Sequence, residues 1–79
     1  MSSRSDSESR GRVQRIYPER GFGFIRCTDG PKDDIGQDFF FHGSALDCHI
    51  NQLEEGSYVT FRPTYVAKGR RAEDIQRIG

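Results

Sequence analysis

Tryptophan is absent from the 79 residues, methionine occurs once, and there are two cysteines and three prolines. Two cysteines, Cys27 and Cys48, are too few for a disulfide scaffold. No C-x-x-C or H-x-x-x-H spacing joins them to His42 or His49, so neither a metal nor another cofactor is expected. Nothing in the pattern brings the two thiols within bridging distance, and both are expected free, as in a cytoplasmic protein. No apolar run is long enough to span a membrane, and the N-terminus lacks the apolar core of a signal peptide, so no membrane partner is expected. A nucleophile and a base at a recognisable spacing are also missing. His42 and Ser44 do not make a triad, so neither an enzyme nor a small-molecule substrate is expected. The length allows one small domain, of a size that buries only about 60% of the surface its extended chain would expose.

The formal net charge is zero, which argues against a nucleic-acid partner only if the total is what matters. The charges are segregated. From Arg10 to Cys27 five arginines stand against Glu19 alone, whereas Asp29 to Glu55 holds seven acids against Lys32 alone. Ser57 to Gly79 returns to five bases and two acids. A positive surface can form where the two basic ends of the chain meet.

The most informative stretch is Arg20-Gly21-Phe22-Gly23-Phe24-Ile25-Arg26, whose alternation defines a strand with two unlike faces. Arg20, Phe22, Phe24 and Arg26 share one face; Gly21, Gly23 and Ile25 share the other. Burying two unpaired guanidinium groups would cost several kcal/mol each, so the phenylalanine face is expected to be open to solvent. The two glycines mark a bend or a close backbone approach. Phe22 and Phe24 taken alone read as core, because buried phenylalanine is the commoner case. A second stretch reverses that reading. In Asp38-Phe39-Phe40-Phe41-His42, Phe39 and Phe41 make a purely apolar face, while Asp38, Phe40 and His42 make the other. Two such strands together form an exposed platform of Phe22, Phe24, Phe40 and His42, on which bases can stack while phosphates meet the cations.

The remaining segments read more simply. Met1 to about Ser9 is serine-rich and polar, giving a disordered tail over residues 1–10 and a domain over residues 11–79. The first strand runs from near Arg12 to Pro18. Val13 and Ile16 have opposite parity, so burying both requires a one-residue bulge, which turns Arg15 and Tyr17 outward beside the platform. Thr28 to Gln37 carries turn signals throughout and is long for a hairpin connection, hence mobile or functional. Ser44 is expected to cap a short helical turn through Ala45 and Leu46, and Ile50 and Leu53 to pin the polar loop from Asp47 to Glu55. A fourth strand opens at Gly56 with Val59 and Phe61 inward, until Pro63 forces an edge or a bulge. Lys68-Gly69-Arg70-Arg71 is a basic turn. In the last segment Ala72, Ile75 and Ile78 recur at spacing three, which by pattern alone reads as a helix.

Taken together, these residues resemble the cold-shock domain family. Its two ribonucleoprotein motifs, K-G-F-G-F-I and V-F-V-H, are similar to Arg20 to Ile25 and Phe39 to His42. Gly11-x-Val13, Ser44-Ala45, Leu53-x-x-Gly56 and Lys68-Gly69 follow in the family's order. The resemblance implies an all-β fold, a five-stranded antiparallel OB-fold barrel whose fifth strand replaces the C-terminal helix. It also implies binding of single-stranded RNA or DNA with little sequence preference, and a role as RNA chaperone or regulator of transcription or translation. Carried over by position, it marks Phe22, Phe24, Phe40 and His42 as stacking residues and Arg20 as the basic residue before the glycine. Arg15, Tyr17, Lys68 and Arg70 complete the expected contact set. Arg15 and Gly43 depart from the family, which commonly has aromatic residues there, and the Thr28 to Gln37 loop is longer than usual. A monomer is expected, a dimer being the alternative. The rival function is a protein-interaction module on the same kind of barrel, since fold does not fix function; the acidic middle segment supports it.

Overall fold

The computed structural model describes residues 8–78; most of the tail expected over residues 1–10 falls outside them. The alternation in Phe22–Asp29 does produce a two-faced strand. Gly23, Ile25 and Cys27 are buried there, while Phe22 and Phe24 are half-buried and Arg26 is exposed. This is β2 of five strands: β1 (Ser9–Tyr17), β2 (Phe22–Asp29), β3 (Asp38–His42), β4 (Tyr58–Val66) and β5 (Gly69–Arg77). They close into a barrel in the order β1-β2-β3-β5-β4. The five-stranded barrel expected is thus present; its neighbours are antiparallel, with one short parallel contact where β5 closes against β3.

The inner positions of each strand fill the barrel. Val13, Ile25, Cys27, Phe39, Phe41, Leu53, Val59, Phe61, Ala72 and Ile75 form one buried cluster, with Ile16, Ala45, Leu46 and Ile50 packed against it. Phe39 and Phe61 meet at its centre, ring centroids 5.0 Å apart. Gly23 is required by this packing. A Cβ there would lie 2.5 Å from the Arg15 carbonyl oxygen and 2.6 Å from the Phe41 ring, so β1 crosses β2 closely only because that side chain is missing.

The bulge demanded by the parity of Val13 and Ile16 is present as a register shift between Val13 and Arg15. The Ile16 amide donates to Glu55 Oε2 at 3.2 Å, so it is not left unpaired. β1 starts at Ser9, three residues before the expected Arg12, because Ser9 to Arg12 pair with Phe61 to Tyr58. Arg20 lies in the turn before β2 rather than on the strand: the amides of Arg20 and Gly21 both donate to the Tyr17 carbonyl, and Gly21 takes φ 76°.

The C-terminal segment is a strand, not a helix. Thr60 pairs with Gln76 and Arg62 with Glu73, so Asp74 and Ile75 together oppose Phe61. This bulge, with Asp74 at φ 50°, adds the one residue that lets Ala72 and Ile75 both point inward. A spacing of three is therefore a strand spacing here. Arg62 holds the bulge from the opposite strand, its Nε 2.9 Å from Asp74 Oδ2. Ile78, the third member of the helical pattern, is 42% exposed.

Two short 3-10 turns cross between β3 and β4, Gly43–Ala45 and Ile50–Gln52. His42 caps the first, its side chain accepting from the Ser44 amide, so the capping role expected of Ser44 falls two residues earlier, on the last residue of β3. Both cysteines are free, Cys27 buried and Cys48 half-buried. Burial pushes the Cys27 thiol above its ordinary pKa. Thiol reactivity needs both thiolate and access. A chromogenic disulfide reagent should therefore label Cys48 in the native protein and reach Cys27 only after denaturation, without prior reduction. Simultaneous labelling of both at native conditions would contradict this packing.

Candidate nucleic-acid interface

Residues directly opposite one another on neighbouring strands share a face, so the strand register fixes what the outer surface of β1, β2, β3 and β5 carries. Arg15 is opposite Phe24, Phe24 opposite Phe40, and Phe40 opposite Arg71. One row thus runs Arg15, Phe24, Phe40, Arg71, an aromatic pair with a guanidinium at each end. A second row runs Tyr17, Phe22, His42. The rings touch within and across the rows: centroids are 5.0 Å apart for Tyr17 and Phe22, 5.6 Å for Phe22 and Phe40, and 5.8 Å for Phe24 and Phe40. Phe22 and Phe24 meet edge to face at 6.2 Å. Their mutual contacts hold the rings in place while leaving each one partly open to solvent, which suits stacking by a flat ligand.

His42 is held at one edge of this surface. Its Nδ1 accepts from the Ser44 amide at 3.3 Å and lies 3.2 Å from Ser44 Oγ. Accepting at Nδ1 assigns the proton of the neutral ring to Nε2, so a donor and the ring face remain available. Beside the platform Arg26 is paired with Asp38 at 3.0 Å, both side chains about half exposed, which offsets one of the cations on this face. Arg15 is exposed, and the neighbouring Tyr17 raises its guanidinium pKa above the usual value.

Seven of the nine residues expected from the sequence lie on or at the rim of this surface: Arg15, Tyr17, Phe22, Phe24, Phe40 and His42 on the strands, and Arg20 in the exposed turn before β2. Lys68 is exposed in the turn between β4 and β5. With Phe40, Val66, Gly69, Arg70 and Arg71 it bounds a shallow, mostly apolar depression that continues the platform. Arg70 is not free: its Nε is 3.1 Å from Asp34 Oδ1 and its Nη2 donates to the Asp33 carbonyl. Sequence reasoning missed Arg71 and Asp34. Arg71 stands beside Phe40, and its Nε lies 2.7 Å from Glu73 Oε2 but off the donor direction, an ion pair without an aligned hydrogen bond. No local pattern could have placed it there, because the β3 to β5 contact joins distant segments.

Among the described residues no group of three or more His, Cys, Asp or Glu is placed to hold a metal, and no helix is long and apolar enough to cross a membrane.

A small closed β-barrel with a cluster of solvent-facing rings on one side, rimmed by arginines, defines an OB-type barrel built for surface recognition rather than for a buried substrate. The model of the 'Cold-shock' DNA-binding domain matches residues 9–78, and the chain belongs to that family, whose members are non-enzymatic nucleic-acid binders. It is 39% identical over 66 residues to the cold shock protein ScoF of Streptomyces coelicolor, covering 82% of this chain and 91% of the relative. It is 37% identical over 70 residues to the cold shock-like protein CspE of Escherichia coli, covering 87% and 94%. A solved structure, drosophila Unr CSD456, superposes with a TM-score of 0.70 at 19% identity, over 91% of this chain and 27% of that one. That last likeness concerns the fold alone.

Proposed function

We propose that the protein binds single-stranded RNA or DNA with little sequence preference, and acts in the cytoplasm as an RNA chaperone or a regulator of transcription or translation. The observation that carries this reading is the contiguous set of rings Tyr17, Phe22, Phe24 and Phe40 on an outer barrel face, with guanidinium groups at both ends of one row. Bases stack on Phe22, Phe24, Phe40 and His42, each stacked base contributing about 1–3 kcal/mol. Arg15, Arg20, Lys68 and Arg71 meet the phosphates. Arg70 lines the depression beside Phe40, but its guanidinium is turned to Asp34 and supplies no free charge to the platform. The protein works as a monomer, with no small-molecule ligand.

Titration with a short oligothymidine tests the reading. Tyr17 touches Phe22, and there is no tryptophan to mask tyrosine emission, so bound bases should quench it. A flat titration at low salt would leave the protein-interaction module as the better account. Arg15→Trp tests the balance of forces. Arg15 is directly opposite Phe24, so a ring there extends the platform, while the lost charge removes about 0.7 from the slope of log affinity against log salt. The variant is expected to bind more tightly at moderate salt with a flatter slope. Unchanged affinity and slope would mean that Arg15 does not touch the ligand.

A further inference from the structure

Asp34 is the most deeply buried carboxylate described, its residue 2% exposed, and it sits in the Thr28 to Gln37 loop that the sequence marks as a long polar connection. Two side chains from the β4–β5 hairpin converge on it. The Tyr65 hydroxyl donates to Oδ2, and Arg70 Nε donates to Oδ1 at 3.1 Å. Arg70 Nη2 reaches on to the Asp33 carbonyl at 3.3 Å. Tyr65 and Arg70 are themselves a cross-strand pair near the tip of the β4–β5 hairpin. The loop therefore grips that hairpin from both strands.

The hairpin needs such a grip. β4 pairs with β1 only from Tyr58 to Phe61, so Arg62 to Val66 have no β1 neighbour. On its other side β5 meets β3 through the single pair Phe40 and Arg71, the next bridge being Leu46 to Ile75. Beyond those contacts, Tyr65 also packs against Phe39 at 6.5 Å. Arg71, opposite Phe40, and Lys68, which lines the same depression, are carried by this overhanging hairpin. Arg71 follows Arg70 and so points to the opposite face, toward the platform, whenever Arg70 is held inward.

We propose that Asp34 is a positioning residue for nucleic-acid binding: through Tyr65 and Arg70 it holds the β4–β5 hairpin so that Arg71 and Lys68 stand at the Phe40 end of the platform and receive the phosphates there. The inference rests on the single-strand binding reading above. It predicts an effect opposite in sign to bulk electrostatics. Deleting a negative charge should by itself tighten binding to a polyanion and steepen its salt dependence. Losing the grip instead withdraws two cations.

The test is a salt titration of oligothymidine binding by the full chain, at a temperature where circular dichroism shows each variant folded. For Asp34→Ala the expected result is weaker binding, with a salt slope reduced by about 0.7–1.4, the contribution of one to two phosphate contacts on a single strand. Asp34→Asn keeps one acceptor oxygen for Arg70 Nε and presents its amide NH2 to the Tyr65 hydroxyl, which can turn to accept, so it should restore part of the affinity. In a Lys68→Ala, Arg71→Ala background, Asp34→Ala should have no further effect on the slope. If Asp34→Ala does not fold, Tyr65→Phe, which removes one donor from a residue 60% exposed, should shift the slope in the same direction by less. Tighter binding, an unchanged slope, or full additivity with the Lys68 and Arg71 changes would overturn the proposal. Phe22→Ala serves as the control. If it weakens binding while Asp34→Ala leaves the slope intact, this inference fails alone; if the unaltered protein does not bind, the functional reading fails with it.

Discussion

Phe39→Ala is expected to lose about 3–5 kcal/mol of stability, enough to unfold a large fraction of so small a domain at room temperature. Phe39 is fully buried, its ring packed at a tilt against Phe61 at 5.0 Å where β3 and β4 face each other across the barrel. Truncation leaves a cavity lined by groups that the closed sheet holds in place, so the site cannot collapse to fill it. Phe41, equally buried and against the Gly23 backbone, should behave alike. Urea denaturation followed by circular dichroism measures the loss as a fall in midpoint with an unchanged slope. The same truncation at Phe40, one residue away on the opposite face, should cost much less, since it forfeits surface ring contacts, tilted with Phe22 and edge-on with Phe24, about 0.5–1.5 kcal/mol each. A harmless Phe39→Ala beside an unfolded Phe40→Ala would mean that the faces are inverted.

Replacing Phe22, Phe24 and Phe40 together with alanine should reduce oligonucleotide affinity by at least about a hundredfold while the barrel stays folded. Each ring supplies about 1–3 kcal/mol of stacking. The three rings touch one another, so their contributions are coupled, and the combined loss is expected to differ from the sum of the single losses. Arginines remain on the rim, so the residual binding should be dominated by charge and should vanish as salt is raised. The check is the affinity of the triple variant across a salt series, against the single variants. Retention of most of the affinity would show that bases do not stack on this surface.

Where sequence and structure agree, the information was local. A strand alternates with period two whatever surrounds it, so Phe22, Gly23, Phe24, Ile25 and Arg26 sort onto two faces from their order alone. Asp38 to His42 does the same, and the pair of patterns sufficed to place four of the platform residues and the core phenylalanines. Parity also exposed the β1 bulge, because Val13 and Ile16 can both be inward only if one residue is added between them. The glycines preceding Phe22 and Phe24 were legible too. Gly21 permits φ 76°, and Gly23 lets the Arg15 carbonyl approach.

Contacts between distant segments decided the rest. Ala72 and Ile75 share the interior because a bulge at Asp74 adds a residue opposite Phe61, and a cross-strand insertion leaves no mark in a one-strand pattern except the misleading spacing of three. Arg71 joins the platform only because β5 runs parallel beside β3, and nothing near Arg71 in sequence encodes that neighbour. Asp34 lies in a stretch whose composition reads as solvated loop. It is buried because the partners that satisfy its charge, Tyr65 and Arg70, arrive from 31 and 36 residues further along the chain. A carboxylate is held inside only where donors meet it, and which donors meet it is fixed by barrel closure, not by the order of residues around it.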